Sequence, residues 1–156
     1  MNRRSREAWH ALFQAQACNH CPYVKASIDR IVAVCNALAP LGMQAVAIMP
    51  NDVENYPDDS YENMQRFAQV HKFPFPYLYD ETQQTARAYG AVCTPDFFGY
   101  NVNLELQYRG RLDECRTSPP RPGAKRELFD AMKQVIETGQ EPKEQMASIG
   151  CSVKWR

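Results

Sequence analysis

Between Pro22 and Ala39 apolar residues recur at Val24, Ile28, Ile31, Val32, Cys35 and Leu38. Those spacings lay them along one face of a helix. Pro22 suits its first turn, where no backbone N–H is needed, and Pro40 with Gly42 ends it. Met43 to Met49 is a short, mostly apolar run stopped by Pro50 and reads as a buried strand. An acidic loop, Asn51 to Asp59, precedes a helix over 60–71 with Tyr61, Met64, Phe67, Ala68 and Val70 on one face and Asp59 or Ser60 as its N-cap. Tyr77-Leu78-Tyr79 predicts a short strand and Thr82 to Tyr89 a short helix closed by Gly90. Phe97 to Asn101 and Leu104 to Tyr108 predict an antiparallel hairpin. A loop with Pro119, Pro120 and Pro122 leads to a last helix, Ala124 to Glu137, ended by Gly139. Ala11 to Ala17 fits a first strand weakened by Gln14 and Gln16. The order of elements is that of an α/β domain with a mixed sheet.

At 156 residues the chain can bury a core without metals or disulfides. Eighteen Lys and Arg balance eighteen Asp and Glu, which removes the electrostatic case for binding nucleic acid or an anionic membrane. Composition is that of a folded protein, and no apolar run approaches a membrane span. Six cysteines, at 18, 21, 35, 93, 115 and 151, hold one close pair, too few and too uneven for a disulfide scaffold. Arg3, Arg4 and Arg6 before Ala15-Gln16-Ala17 faintly imitate a secretory leader, but His10, Gln14 and Gln16 interrupt its apolar region. A reducing cytoplasm is therefore the expected location, where a close cysteine pair is redox-active or metal-binding rather than structural.

Cys18-Asn19-His20-Cys21 stands between a strand end and the long helix. Two intervening residues at a helix start bring the sulfurs within bridging reach, and the unpaired N–H groups favour a thiolate on the first. An imidazolium at His20 would tune the couple by stabilising that thiolate. A structural zinc site normally needs four ligands; Cys18, His20 and Cys21 offer three, with no second close Cys/His pair, so no metal or other cofactor is expected. Metal binding by the pair, with His20 or His71, stays open as a rival reading. Cys93-Thr94-Pro95 is the second constellation: a proline entering a strand can hold a cis bond and expose the preceding backbone to an extended substrate.

Several blocks in order carry a resemblance: Cys18 to Val24, Asn51-Asp52, Tyr56 to Ser60, Phe75 to Leu78, Tyr89 to Phe98, Tyr108 to Asp113 and Ser148 to Trp155. The chain resembles thioredoxin-fold redoxins, the peroxiredoxin-like class of the alkyl hydroperoxide reductase and thiol-specific antioxidant superfamily. The resemblance implies a thioredoxin-like fold, a central mixed sheet flanked by helices. It implies Cys18 and Cys21 as the redox centre and Pro95 as a cis-proline facing them. Two departures stand out. Only seventeen residues precede Cys18, fewer than the class normally carries, so a shortened or altered N-terminal region is expected. A peroxiredoxin has Thr or Ser three residues before its attacking cysteine, whereas Ala15 precedes Cys18 and Cys18 precedes Cys21 at that distance. Efficient peroxide reduction is not expected.

The expected layout is a short segment over 1–17, a thioredoxin-like domain over 18–140 and a tail over 141–156. Cys35 lies on the apolar helix face and reads as a buried small hydrophobe. Cys93 is a candidate third redox thiol. Cys115, among charged residues, is expected free and exposed. Cys151 could fold back as a resolving thiol, or its motif could anchor the tail through Val153 and Trp155. His71 is expected to cap a helix. Asp52, Glu54, Asp58, Asp59 and Glu62 are expected in a solvated loop and cap. The expected activity is thiol–disulfide exchange: Cys18 attacks, Cys21 resolves, and Thr94 and Pro95 position the substrate. Its partners are a protein or small-molecule disulfide, or a peroxide in the peroxidase alternative, and a reductant such as a thioredoxin or glutathione system.

Overall fold

Alternation along one strand sets the layers of the molecule. In β1 (Ala11–Gln16) the side chains of Ala11, Phe13 and Ala15 enter the main core, which Phe13 joins by stacking on Phe97, with ring centroids 5.6 Å apart. Gln14 and Gln16 point to the opposite face. The computed structural model describes residues 9–156, so the arginine-rich start weighed above as a leader lies outside the described residues.

β1 is the middle strand of five, in the order β3-β2-β1-β5-β6. It runs parallel to β2 (Met43–Met49), which pairs parallel to β3 (Tyr77–Tyr79). Its other neighbour is β5 (Asp96–Asn101), antiparallel, followed by β6 (Leu106–Gly110), so the sheet is mixed as expected. Helix α1 (Pro22–Leu38) buries Val24, Ile28, Ile31, Val34, Cys35 and Leu38 in the core shared with α4 (Glu127–Thr138). Val34 takes the deep place expected of Val32, which is half-buried. Helix α2 (Tyr61–Val70) lies at the β3 edge; the Ser60 hydroxyl accepts from the Asn63 amide, the expected N-cap bond. His71 is its C-cap, its ring 3.3 Å from Asp29 on α1. On the opposite face α3 (Gln84–Tyr89) sets Tyr89 against Phe98 and Tyr100. A two-residue strand β4 (Cys93–Thr94) pairs with β7 (Cys151–Ser152) near the chain end. The hairpin begins one residue earlier than expected and its return strand two residues later, at Leu106. Among the described residues no helix is long and apolar enough to cross a membrane.

Three expectations about polar positions meet a different arrangement. Gln14 and Gln16, read as weakening β1, are 1% and 0% exposed, and none of their four side-chain polar atoms has a hydrogen-bond partner. A buried unsatisfied group costs about 1–3 kcal/mol; the strand carries them because each of its six residues is in register with β2 on one side and β5 on the other. Cys115, expected exposed, is buried: its amide donates to Asp113, whose carboxylate is clamped by Arg30 at 2.7 Å, folding the charged loop over it. The acidic loop is not uniformly solvated. Glu54, Asp58 and Glu62 face water, but Asp52 and Asp59 are buried.

Candidate functional site around Thr94 and Pro95

The loop leaving β1 must turn into α1 within five residues, and Ala17 is tied back by donating to the Ile48 carbonyl at 2.9 Å. Cys21 becomes the N-cap of α1. Cys18 lies before the helix rather than in its first turn, and both cysteines have 0% exposure. Across from them the Thr94–Pro95 bond is cis, and Thr94 is fully buried. Thr94 touches both sulfurs: its hydroxyl lies 3.3 Å from Cys18 Sγ, and its carbonyl accepts from the Cys21 thiol at 3.2 Å. The residues singled out as one site thus converge in space, although seventy-odd residues separate the two motifs.

Asp59 organises the other side. Its carboxylate accepts from the Asn19 amide at 2.8 Å and the Asn51 side chain at 2.9 Å, and His20 Nδ1 lies 2.5 Å from it, too bent for a directed hydrogen bond. Asn19 donates to the Asp58 carbonyl and accepts from the Tyr77 hydroxyl at 2.9 Å. Burial, then the neighbouring Cys18 and Asp59, push the Tyr77 phenol well above its ordinary pKa, keeping it a donor. His20 also stacks on Tyr56. The ligand atoms of Cys18, His20 and Asp59 lie within 4.8 Å of one another, the only such group among the described residues; Cys21 and His71 are not in it.

The two thiols titrate as a pair. Cys21 is drawn well below the ordinary thiol value by the hydrogen bond from Cys18, by the thiol and amide of Cys151 and by the Val24 amide at the helix start. Cys18 is pushed up by donating that bond, by burial and by the Asp59 carboxylate. Burial and the Thr94 carbonyl oppose charge on Cys21, but the donors outweigh them. These directions favour negative charge on the second sulfur, where helix and tail donors converge, while a buried carboxylate faces the first.

Burial pushes the Cys35 thiol up to about 12, in line with its place in the core. The Cys93 thiol lies 3.7 Å from the Pro95 carbonyl, and burial, then Asp96, push it up to about 11. Residue-by-residue reading missed the role of Asp59 and Asn51, hidden in a loop whose charge density resembles a solvated turn.

The AhpC/TSA family model matches residues 6–114. An uncharacterised conserved protein of Geobacillus kaustophilus is 44% identical, with a TM-score of 0.87, 94% of this chain and 78% of that one being covered. A hypothetical protein of Sinorhizobium meliloti is 34% identical, with a TM-score of 0.84 and coverages of 94% and 80%. A thioredoxin-like protein solved in its oxidised form shares 13% identity and the fold, with a TM-score of 0.66 over 90% of this chain and 86% of that one. No curated protein sequence matches the chain. The match over most of its length and the mixed sheet with a cis-proline opposite the cysteine pair agree: the chain is a thioredoxin-like redoxin and belongs to the AhpC/TSA family.

Proposed function

We propose that the chain is a thiol–disulfide oxidoreductase whose redox couple is the Cys18–Cys21 dithiol. The observation that carries this reading is the seating of both sulfurs on one residue, Thr94, at 3.3 and 3.2 Å, beside Pro95. The Cys21 thiolate attacks one sulfur of a substrate disulfide, breaking the substrate S–S bond and releasing one substrate thiolate. Cys18, giving up its proton, then attacks Cys21 Sγ; the mixed disulfide breaks, the second substrate thiol leaves, and a Cys18–Cys21 bond remains. Two electrons pass to the substrate, and its two thiolates take up the Cys18 proton and one from water. Thr94 and Pro95 position the substrate backbone, and His20, held against Asp59, tunes the couple. A thiol system of the thioredoxin or glutathione kind restores the dithiol.

Reduction of insulin disulfides tests the reading. Cys21→Ser is expected to lower the rate at least about a thousandfold, since the exchange then lacks one of its two sulfurs. Unchanged activity in that variant would end the proposal. The Cys18, His20 and Asp59 group favours a second reading, a metal site with three protein ligands. Stoichiometric zinc or copper in protein purified without chelator, retained by Cys21→Ser and lost from His20→Ala, would select it.

A further inference from the structure

In a thioredoxin-like site the backbone beside the cis-proline is an unpaired strand edge, open to an extended peptide. Here that edge is filled by the chain's own end. β7 runs antiparallel to β4, with Thr94 opposite Cys151 and Cys93 opposite Ser152, and the Val153 amide continues the pairing to the Val92 carbonyl at 3.1 Å. The fit needs a glycine: a Cβ on Gly150 would collide with the Thr94 carbonyl. Ser148 and Ile149 then wall the cleft beside Pro95 together with Tyr23, Phe97 and Leu112.

This register sets Cys151 across the ladder from the residue that touches both active-site sulfurs. Thr94 carries both sulfurs, Cys18 against its hydroxyl and Cys21 against its carbonyl, so the strand pairing brings Cys151 to the residue on which the pair rests. From this juxtaposition we infer that the C-terminal strand is a built-in substrate and that Cys151 is a third redox thiol, exchanging with Cys18 for the bond to Cys21. The inference rests on the redox reading proposed above. In the oxidised protein Cys151 attacks Cys21 Sγ; a Cys21–Cys151 bond forms, the Cys18–Cys21 bond breaks, and Cys18 leaves as a thiolate that takes the proton Cys151 gave up. No net electrons move. Burial, and donation to Cys21, push the Cys151 thiol up to about 11 in the reduced state. Oxidation of Cys21 removes that negative neighbour and leaves Lys154 beside Cys151, which favours its thiolate. The same pairing makes the tail a competitor that an external peptide must displace from Thr94.

Oxidising the full chain with oxidised glutathione, quenching in acid, alkylating free thiols and mapping tryptic peptides tests this. Cys18 and Cys21 share the peptide 7–25, and Cys151 lies in 144–154. The expected result is an internal bond in 7–25 together with a cross-link between the two peptides, and in Cys18→Ser the cross-link as the main product. A Cys18→Ser protein that holds glutathione on Cys21 with Cys151 free would overturn the inference and leave the dithiol reading standing. Wild-type protein with no internal bond in 7–25 would instead sink the dithiol reading. Gly150→Val covers a Cys18→Ser variant that fails to fold. With the tail forced off Thr94, the cross-link is expected to fall about tenfold while the internal bond forms as before, because only the effective concentration of Cys151 changes. A cross-link unchanged in Gly150→Val would overturn the inference.

Discussion

Two segments from opposite ends of the chain meet at Thr94, and they are held in unlike ways. The head, Ala17 to Cys21, bridges the central strand and the seventeen-residue α1, and its turn is locked by buried polar groups of Asp59 and Tyr77. The tail, from Ser148 onward, has a two-residue ladder and then a series of tethers: Lys154 donates to Asn51 and accepts from Asp52 and Gln83, Arg156 donates to Gln83, and Arg87 lies over the Trp155 ring. A short ladder at a domain edge opens locally at far lower cost than a strand paired on both sides. At Thr94 a head locked by buried polar groups thus meets a tail held by a short ladder.

Removing the lock on the head is the harshest test of that contrast. Asp59→Ala leaves the Asn19 amide and the Asn51 side chain without their buried acceptor and His20 without its charged neighbour, and should cost about 3 kcal/mol or more of folding stability. Urea unfolding measures it. A loss under about 1 kcal/mol would mean the head is held by its covalent neighbours and not by this carboxylate. Since Asn51 also holds Lys154, the tail should loosen in the same variant.

A smaller effect separates the contributions of head and tail to the charge on Cys21. A thiol whose folded pKa is depressed stays ionised below the ordinary thiol range. Its contribution to stability is present above the unfolded pKa and is lost as pH falls through the folded one. Ultraviolet thiolate absorbance of the reduced protein should therefore persist well below the ordinary thiol pKa. Cys18→Ala should raise the midpoint most, since its hydrogen bond is the largest influence, and Cys151→Ala should raise it less. A midpoint unmoved by Cys151→Ala would show that the head alone sets the charge.

Much of this was legible in the residues. Helical spacing from Val24 to Leu38, the apolar run to Met49 and the Ser60 cap each specify an element locally, and each formed within about two residues of its expected bounds. Each of the two short motifs, Cys18 to Cys21 and Thr94-Pro95, stood out by residue type, and that they meet in space was implied by the family resemblance. Asp59 was not legible: a carboxylate in an acidic loop gives no sign that an amide from forty residues away will bury it. Gln14 and Gln16 were legible as a weakness of the strand, whereas β propensity and polarity cannot register that two flanking ladders hold it nonetheless. The influences that lower the Cys21 thiol include Cys151, 130 residues downstream and beyond any spacing rule.

The finest test of the comparison lies at the tail's last aromatic. Trp155 is partly exposed, and its ring meets Arg87 with 4.4 Å between guanidinium carbon and centroid. An exposed cation–π contact contributes about 0.5–1 kcal/mol, and a tail that opens separately from the sheet should show the loss in Trp155→Ala in its local opening alone. Hydrogen exchange at the Val153 amide, bonded to Val92, should then accelerate about two- to fivefold, while amides of β1 exchange as before. Equal acceleration at both places would mean that tail and sheet open as one unit, and the tail could not then give way to an external peptide without unfolding the domain that carries the cysteines.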